Sequence, residues 1–343
     1  MKMAKQTPLV SVVIVNWNGE DLLPTCIQSV VDQQYSSIEI IVVDNASTDS
    51  SVQAIARNFP NVTVIQNSFN AGFAQGCNRG AEIARGEFIL FLNTDAWLET
   101  DFFAPIIERF QTDPSIAAIT PKLLRADDPA RLDSCGSLWS VSTWLYHFGY
   151  GKDAAEEIYN VPQLFFALKG AVLMIRTSSF RGVGGFDNDF WCYYEETDLC
   201  HRLWLAGYTC MYYPKSTAYH QGAATAKKVN NAFIHYHNFK NQLQSFIKNF
   251  SLLNLSWILP THILLMVFLS AAWAMQGKIQ HALSGYRAIG WTMQHLRAIL
   301  KKRNATQKMR RIPDHAYLPL VTSTPSPSFY IHAVIPKVSY ADQ

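Results

Sequence analysis

A chain of 343 residues exceeds one average domain and falls short of three, so one large domain with an appendage is expected. Charged residues make up only 16% against 49% hydrophobic, which points to a membrane-facing part, and a net charge of +3 is too small to imply a nucleic-acid partner. The six cysteines form no CxxC pair and no metal-ligand spacing, which favours reduced core thiols over a disulfide or zinc framework.

Residues 1–15 lack a signal peptide's cleavage pattern, and their apolar run is too short to cross a bilayer, so a cytosolic catalytic part is expected. Residues 9–15 form a β-branched run closed by Asn16-Trp17-Asn18-Gly19, the pattern of a strand buried on both faces. A helix follows with Leu23, Ile27, Val30 and Val31 on one face, then a strand over 38–43 that ends in Asp44-Asn45-Ala46-Ser47-Thr48-Asp49. The alternation continues with a helix over 52–58, a strand over 62–65, a helix carrying Cys77, Ala81 and Ala84, and a strand over 88–92. Such alternation predicts a mostly parallel sheet covered by helices, with ligands at the carboxyl ends of the strands. From about 112 to 160 the pattern weakens and aromatics accumulate, Trp139 and Trp144 among them, which predicts loops and irregular strands that shape an acceptor site. Regularity returns with a strand over 171–175, the loop Gly184-Gly185-Phe186-Asp187, a helix beginning near Glu196 and a strand over 210–213.

Four positions carry chemistry. Asp44, at the end of the second strand, suits hydrogen bonds from a base or ribose, with a strand-end turn as the alternative. Asp95 in Asn93-Thr94-Asp95 sits where a hard cation bridging two phosphates needs a carboxylate, although an aspartate there also caps a helix. Tyr194-Glu195-Glu196-Thr197-Asp198-Leu199 gathers three carboxylates at a helix start, more than the helix dipole alone calls for, behind a glycine- and aromatic-rich approach that ends in Trp191. His220, structural on its own, becomes the second cation ligand if Asp95 is the first.

Together Val13-Ile14-Val15-Asn16-Trp17-Asn18, Val43-Asp44-Asn45-Ala46-Ser47-Thr48-Asp49, Asn70-Ala71-Gly72-Phe73-Ala74, Asn93-Thr94-Asp95 and Glu195-Glu196-Thr197-Asp198-Leu199 resemble the family 2 glycosyltransferases of the GT-A fold, in particular bacterial rhamnosyltransferases of cell-surface polysaccharide assembly. The resemblance covers residues 8–225 and implies an α/β, Rossmann-like, mostly parallel GT-A sheet. It implies inverting transfer of a sugar from a dTDP- or UDP-linked donor to a hydroxyl of a glycan or polyprenyl-linked acceptor, with Mg2+ or Mn2+ as cofactor. On that likeness Glu196 is the base, with Glu195 as the alternative, and Asp95 and His220 hold the metal. Asn16, Asn18, Asp44, Asn45, Asn70, Gly72, Asn93, Trp191 and Asp198 are the expected substrate contacts. Asn93 stands where the family's metal motif begins with an aspartate, which supports the competing reading of a non-catalytic, glycan-binding scaffold. No GxGxxG follows the first strand, which argues against a dinucleotide oxidoreductase.

The expected organisation is a catalytic domain over 1–230, a helical membrane-associating region over 231–311 and an irregular tail over 312–343. Residues 252–275 carry no charge and are long enough to span a bilayer, interrupted by Pro260, Thr261 and His262. The basic cluster at 297–311 would then lie on the wrong side for a single crossing. The expectation is therefore a peripheral or re-entrant association through 252–311 at the cytoplasmic face, either a hairpin broken at Pro260 or an interfacial helix with Lys301, Lys302, Arg303, Arg310 and Arg311 on anionic headgroups. A helix buried in a homo-oligomer interface is the alternative.

Overall fold

The computed structural model describes residues 7–140, 142–222 and 230–324. Its centre is β1 (Val10–Asn16), which lies parallel to β2 (Ile38–Asp44) on one side and to β4 (Phe88–Asn93) on the other. Val10, Val12, Val13 and Ile14 are fully buried, as a strand covered on both faces requires. β3 (Thr63–Gln66) extends the sheet past β2. α1 (Leu23–Val31) and α2 (Ser51–Asn58) cover one face, and α3 (Gly72–Ile83) covers the other. α3 approaches its strands closely because Gly80 has no side chain: a Cβ there would stand 2.4 Å from Val13 Cγ1.

Beyond β4 the sheet turns antiparallel. β11 (Val172–Arg176) runs against both β4 and β6 (Ile116–Arg125), and β12 (Thr209–His220) lies parallel to β6. The ten-residue β6 falls where the sequence predicts irregular structure, and β12 runs well past the predicted residues 210–213. Short strands complete this half: β5 (Ala96–Leu98) and β10 (Gln163–Leu164) on β12, and β7 (Leu132–Ser134) on β6. α4 (Phe103–Thr112) buries Phe103, Ile106, Ile107 and Phe110, and α5 (Thr177–Gly182) follows β11. β8 (Gly136–Ser140) and β9 (Leu145–Phe148) form a separate hairpin. There Trp139, expected at an acceptor site, is 2% exposed and packs on Phe246 and Phe250. It belongs to the core.

α6 (Glu195–Leu205) is followed, past β12, by the helices α7 (Asn231–Asn249), α8 (Leu252–Met275), α9 (Ile279–Gln294) and α10 (Leu296–Met309). α8 is continuous through Pro260, so no hairpin breaks there; Thr261 Oγ1 bonds back to Trp257 O, and His262 is buried against Thr143. Three members of the basic cluster also bond within the fold. Arg303 donates to the carbonyls of Ile247 and Phe250, Arg310 pairs with Asp314, and Lys302 pairs with Asp187 and Asp189. Residues 312–324 are not irregular: α11 (Asp314–Val321) seats Tyr317 on Trp204 at 5.9 Å, and β13 (Thr322–Ser323) pairs with β8. The rest of the expected tail, 325–343, lies outside the described residues, as do residues 1–6. All six cysteines are free and five are buried.

Candidate active site

At the carboxyl ends of β1 and β2, Asp44 is 3% exposed and closes a tight turn. Its Oδ1 accepts from Asn16 Nδ2 at 2.8 Å and Ser47 Oγ at 2.6 Å, and its Oδ2 accepts from the Ser47 amide at 3.1 Å. Asn18, in the left-handed region at φ 52°, accepts from the Thr48 amide and ties the two strand ends together. A carboxylate offers about four acceptor positions, so Asp44 keeps capacity for a ligand. Asn16 and Asn45, expected as substrate contacts, are 0% and 2% exposed and act within the fold. Asn16 holds Asp44 and Ser51; Asn45 spans from Gly72 O to Asn67.

Asn70, Gly72 and Trp191 form one joint. Asn70 Oδ1 accepts from the Gly72 amide, Asn70 O accepts from Trp191 Nε1 at 3.3 Å, and Trp191 O accepts from the Phe73 amide at 2.7 Å. Gly72 sits at φ 80°, and a Cβ on it would stand 2.3 Å from Trp191 O. Only glycine fits both demands. The loop before α6 is thereby pinned to the start of α3.

At the end of β4, Asn93 is half-buried and Asp95 is 7% exposed. Because β5 pairs with β12 in a register that sets Ala96 opposite His220, Asp95 Oδ1 and His220 Nε2 come within 3.4 Å. Asp133, from β7, holds the other ring nitrogen at 3.1 Å, and Lys169 Nζ lies 3.9 Å from the same carboxylate oxygen. Burial alone would lower the His220 pKa, but its hydrogen bonds to Asp133 and Asp95 and their charges hold it up at about 9. Burial alone would raise Asp133; Lys169 and His220 overcome it and hold the carboxyl at about 2.

These residues fit a divalent cation. Two cis ligands at about 2.1 Å from a metal stand roughly 3 Å apart, close to the observed separation. A carboxylate on the far nitrogen is the usual support of a metal-binding histidine. Among the described residues no group of three or more His, Cys, Asp or Glu side chains is placed to hold a metal ion together, so the other positions would fall to phosphate oxygens and water. Neither Asp133 nor Lys169 was found from the sequence, because both lie in stretches without a periodic pattern.

The carboxylates at α6 divide by burial. Glu195 is 6% exposed, its Oε2 has no hydrogen-bond partner, and burial together with the Glu196 charge pushes its pKa well up. Glu196 is half-buried beside Gly170, where a Cβ would lie 3.4 Å from Glu196 Cβ; burial raises its pKa and Lys169 pulls against that rise. Lys169-Gly170 thus links Glu196 to the group around Asp133, His220 and Asp95.

Asp198, also expected as a substrate contact, lies inside the fold. It is 0% exposed and its carboxylate accepts from Arg202 at 2.9 Å, Lys248 at 3.1 Å and Asn249 at 2.9 Å. Lys248 and Lys302 also hold Asp187 of the glycine-rich loop.

Comparison with known proteins decides the family. The Glycosyl transferase family group 2 pattern matches residues 88–312, and the Glycosyl transferase family 2 pattern matches residues 11–149. The chain belongs to the family 2 glycosyltransferases. It is 25% identical over 247 residues to an N-acetylglucosaminyl-diphospho-decaprenol L-rhamnosyltransferase of Mycobacterium tuberculosis, across 63% of this chain and 77% of that protein. Two glycosyltransferases of Bacillus subtilis and Escherichia coli match at 37% over 100 residues and 35% over 96, so the chain spans less than a third of their length. Among solved structures, Staphylococcus aureus TarS 1–349 in complex with UDP-GlcNAc superposes with a TM-score of 0.57 at 16% identity, over 87% of this chain and 88% of that one. GalNAc-T7 with UDP, GalNAc and Mn2+ superposes at 0.55 and 18% identity, over 71% of this chain and 48% of that one. The α/β fold of this glycosyltransferase is therefore GT-A.

Proposed function

We propose that this glycosyltransferase moves a sugar, with inversion, from a dTDP- or UDP-linked donor to a hydroxyl of a glycan or polyprenyl-linked acceptor. The observation that carries the proposal is the link, through Lys169-Gly170, between a half-buried carboxylate of raised pKa, Glu196, and the convergent Asp95–His220 pair. Glu196 takes the proton of the acceptor hydroxyl while that oxygen attacks the anomeric carbon. The bond to the donor diphosphate breaks on the opposite face, and the nucleoside diphosphate leaves with the electron pair. In this reading Glu195, buried and without a partner for Oε2, supports Glu196 rather than acting as the base. Mg2+ or Mn2+ held by Asp95 and His220 would neutralise charge on the leaving diphosphate. Manganese accompanies the nucleotide in the GalNAc-T7 structure, and the mycobacterial relative carries a lipid diphosphate in its name, which supports both the cofactor and the acceptor class.

The membrane reading rests on α8, which is long and apolar enough to cross a membrane by length and composition, at mean hydropathy 1.9. Ile258, His262, Met266, Leu269 and Trp273 bury one side of α8 against the protein, while Leu253, Leu264, Phe268 and Met275 lie exposed on the rest. A helix held in this way is suited to lying in the cytosolic interface rather than crossing it. No Asp or Glu occurs anywhere from 199 to 313, and Arg287, Arg297, Lys301, Lys308 and Arg311 are exposed for contact with anionic headgroups.

The catalytic reading is tested by assaying transfer from dTDP- and UDP-sugars and determining the product's anomeric configuration. Glu196→Gln is expected to lower transfer by roughly 10²- to 10⁴-fold with donor binding retained. Undiminished transfer by the Glu195→Gln, Glu196→Gln double variant would sink it. For the membrane, Leu264→Glu with Phe268→Glu should abolish flotation with anionic vesicles; equal flotation refutes the docking surface.

A further inference from the structure

Glu195 and Glu196 are presented by an unusual backbone. The two residues before them, Tyr193 and Tyr194, both occupy the left-handed region, at φ 65° and 69°, and Tyr194 is the N-cap of α6. Non-glycine residues visit this region singly and at a cost, so two in succession persist only where the surroundings hold them. The hold comes from α7. Asn241 is 0% exposed, and its Nδ2 donates to Cys192 O at 2.8 Å and to Tyr193 O at 2.6 Å. Its orientation is forced, because turning the amide over would set Oδ1 against two carbonyl oxygens. The neighbouring Lys240 donates to Asp189 O at 2.8 Å, so consecutive residues of one helix grip the loop at both of its ends.

We infer that Asn241 is a positioning residue for catalysis, fixing the Cys192–Tyr193 backbone so that the following glutamates face the acceptor. The inference rests on Glu196 as the base. Displacing a catalytic group by about 1 Å commonly costs on the order of 10²-fold in rate, so removing the two bonds should act on turnover more than on binding.

The test uses the full chain and compares Asn241→Ala with Gln244→Leu. Gln244 lies on α7, is 0% exposed, and has no hydrogen-bond partner for either amide atom, so its replacement probes α7 packing without touching the loop carbonyls. The expected result is that Asn241→Ala lowers kcat by roughly 10- to 100-fold, with donor KM unchanged, while Gln244→Leu keeps wild-type kcat. In the Glu196→Gln background the Asn241→Ala effect should vanish, since the group it positions is already lost. An unchanged kcat in Asn241→Ala, an equal loss in Gln244→Leu, or an undiminished effect in the Glu196→Gln background overturns the inference. Full activity of Glu196→Gln alone overturns the base assignment and the inference with it; an inactive Glu196→Gln beside an unimpaired Asn241→Ala overturns the inference only.

Discussion

Replacing Asp198 by Asn separates a structural carboxylate from a substrate contact. In the folded chain Asp198 and Asp187 face Arg202, Lys248 and Lys302, and Asp198 is fully buried. Asparagine keeps the shape and one acceptor oxygen but leaves Arg202 without its carboxylate and Lys248 with Asp187 alone. Removing one member of a buried ion pair costs about 3–5 kcal/mol, and the retained oxygen favours the lower end. At about 2–4 °C per kcal/mol for a chain approaching this size, the melting midpoint should fall by roughly 6–12 °C. The assay is a thermal melt followed by circular dichroism, with nucleotide affinity measured well below the midpoint. The expected outcome is a lowered midpoint with affinity within about twofold of wild type, since an intact folded site binds as before. A normal midpoint with lost donor binding would refute the reasoning and return Asp198 to the substrate.

Three further outcomes follow from the geometry. Chelation of divalent cations should abolish transfer and Mn2+ restore it, and Asp133→Asn should raise the cation concentration for half-maximal rate by roughly 10- to 100-fold, because the carboxylate behind His220 orients it. Gly72→Ala should lose donor binding, read by calorimetry, since its Cβ has no room beside Trp191 O. Asp314 is held at about 2 despite burial by Arg310 and the Ser251 amide, below the ordinary unfolded value near 4. Its contribution of about 2 kcal/mol is therefore fully present above pH 4 and lost as pH falls towards 2. Asp314→Asn should flatten that stretch of the urea-denaturation profile against pH, and an unchanged slope would show that other groups govern it.

The first half of the sheet was legible because β1, β2 and β4 are mostly apolar, with no more than one polar residue inside each run (Ser11, Glu39), and each ends in polar residues. β6 was not, since its ten residues include Thr120, Pro121, Lys122 and Arg125 and so break the apolar run. Missing β6 also hid Asp133, which reaches His220 only because β7 pairs with β6 and β12 lies beside it. Sequence order gave the positions of Asp95 and His220 but not their approach, which depends on the β5–β12 register. The placement of the asparagines was hidden for another reason. Side chains at strand ends look alike in sequence whether they face a ligand or brace a turn, and Asn16 and Asn45 do the second.

The helical region was misjudged because charge was counted by segment. Residues 187–198 carry Asp187, Asp189, Glu195, Glu196 and Asp198, and residues 199–313 carry no acid at all, so each segment alone reads as unpartnered charge. Folded, they are partly one network, with Lys248 on Asp187 and Asp198, and Lys302 on Asp187 and Asp189. The helices are thus the electrostatic counterpart of the loop that presents the carboxylates, and α11 adds Tyr317 against Trp204 and His201 of α6. Truncation after Ser251 would leave Asp187 without Lys302 and open the α6 core, so loss of activity in such a fragment would report a collapsed catalytic loop rather than a lost membrane contact. Surface substitutions on α8, which leave this network intact, are the ones that isolate the membrane.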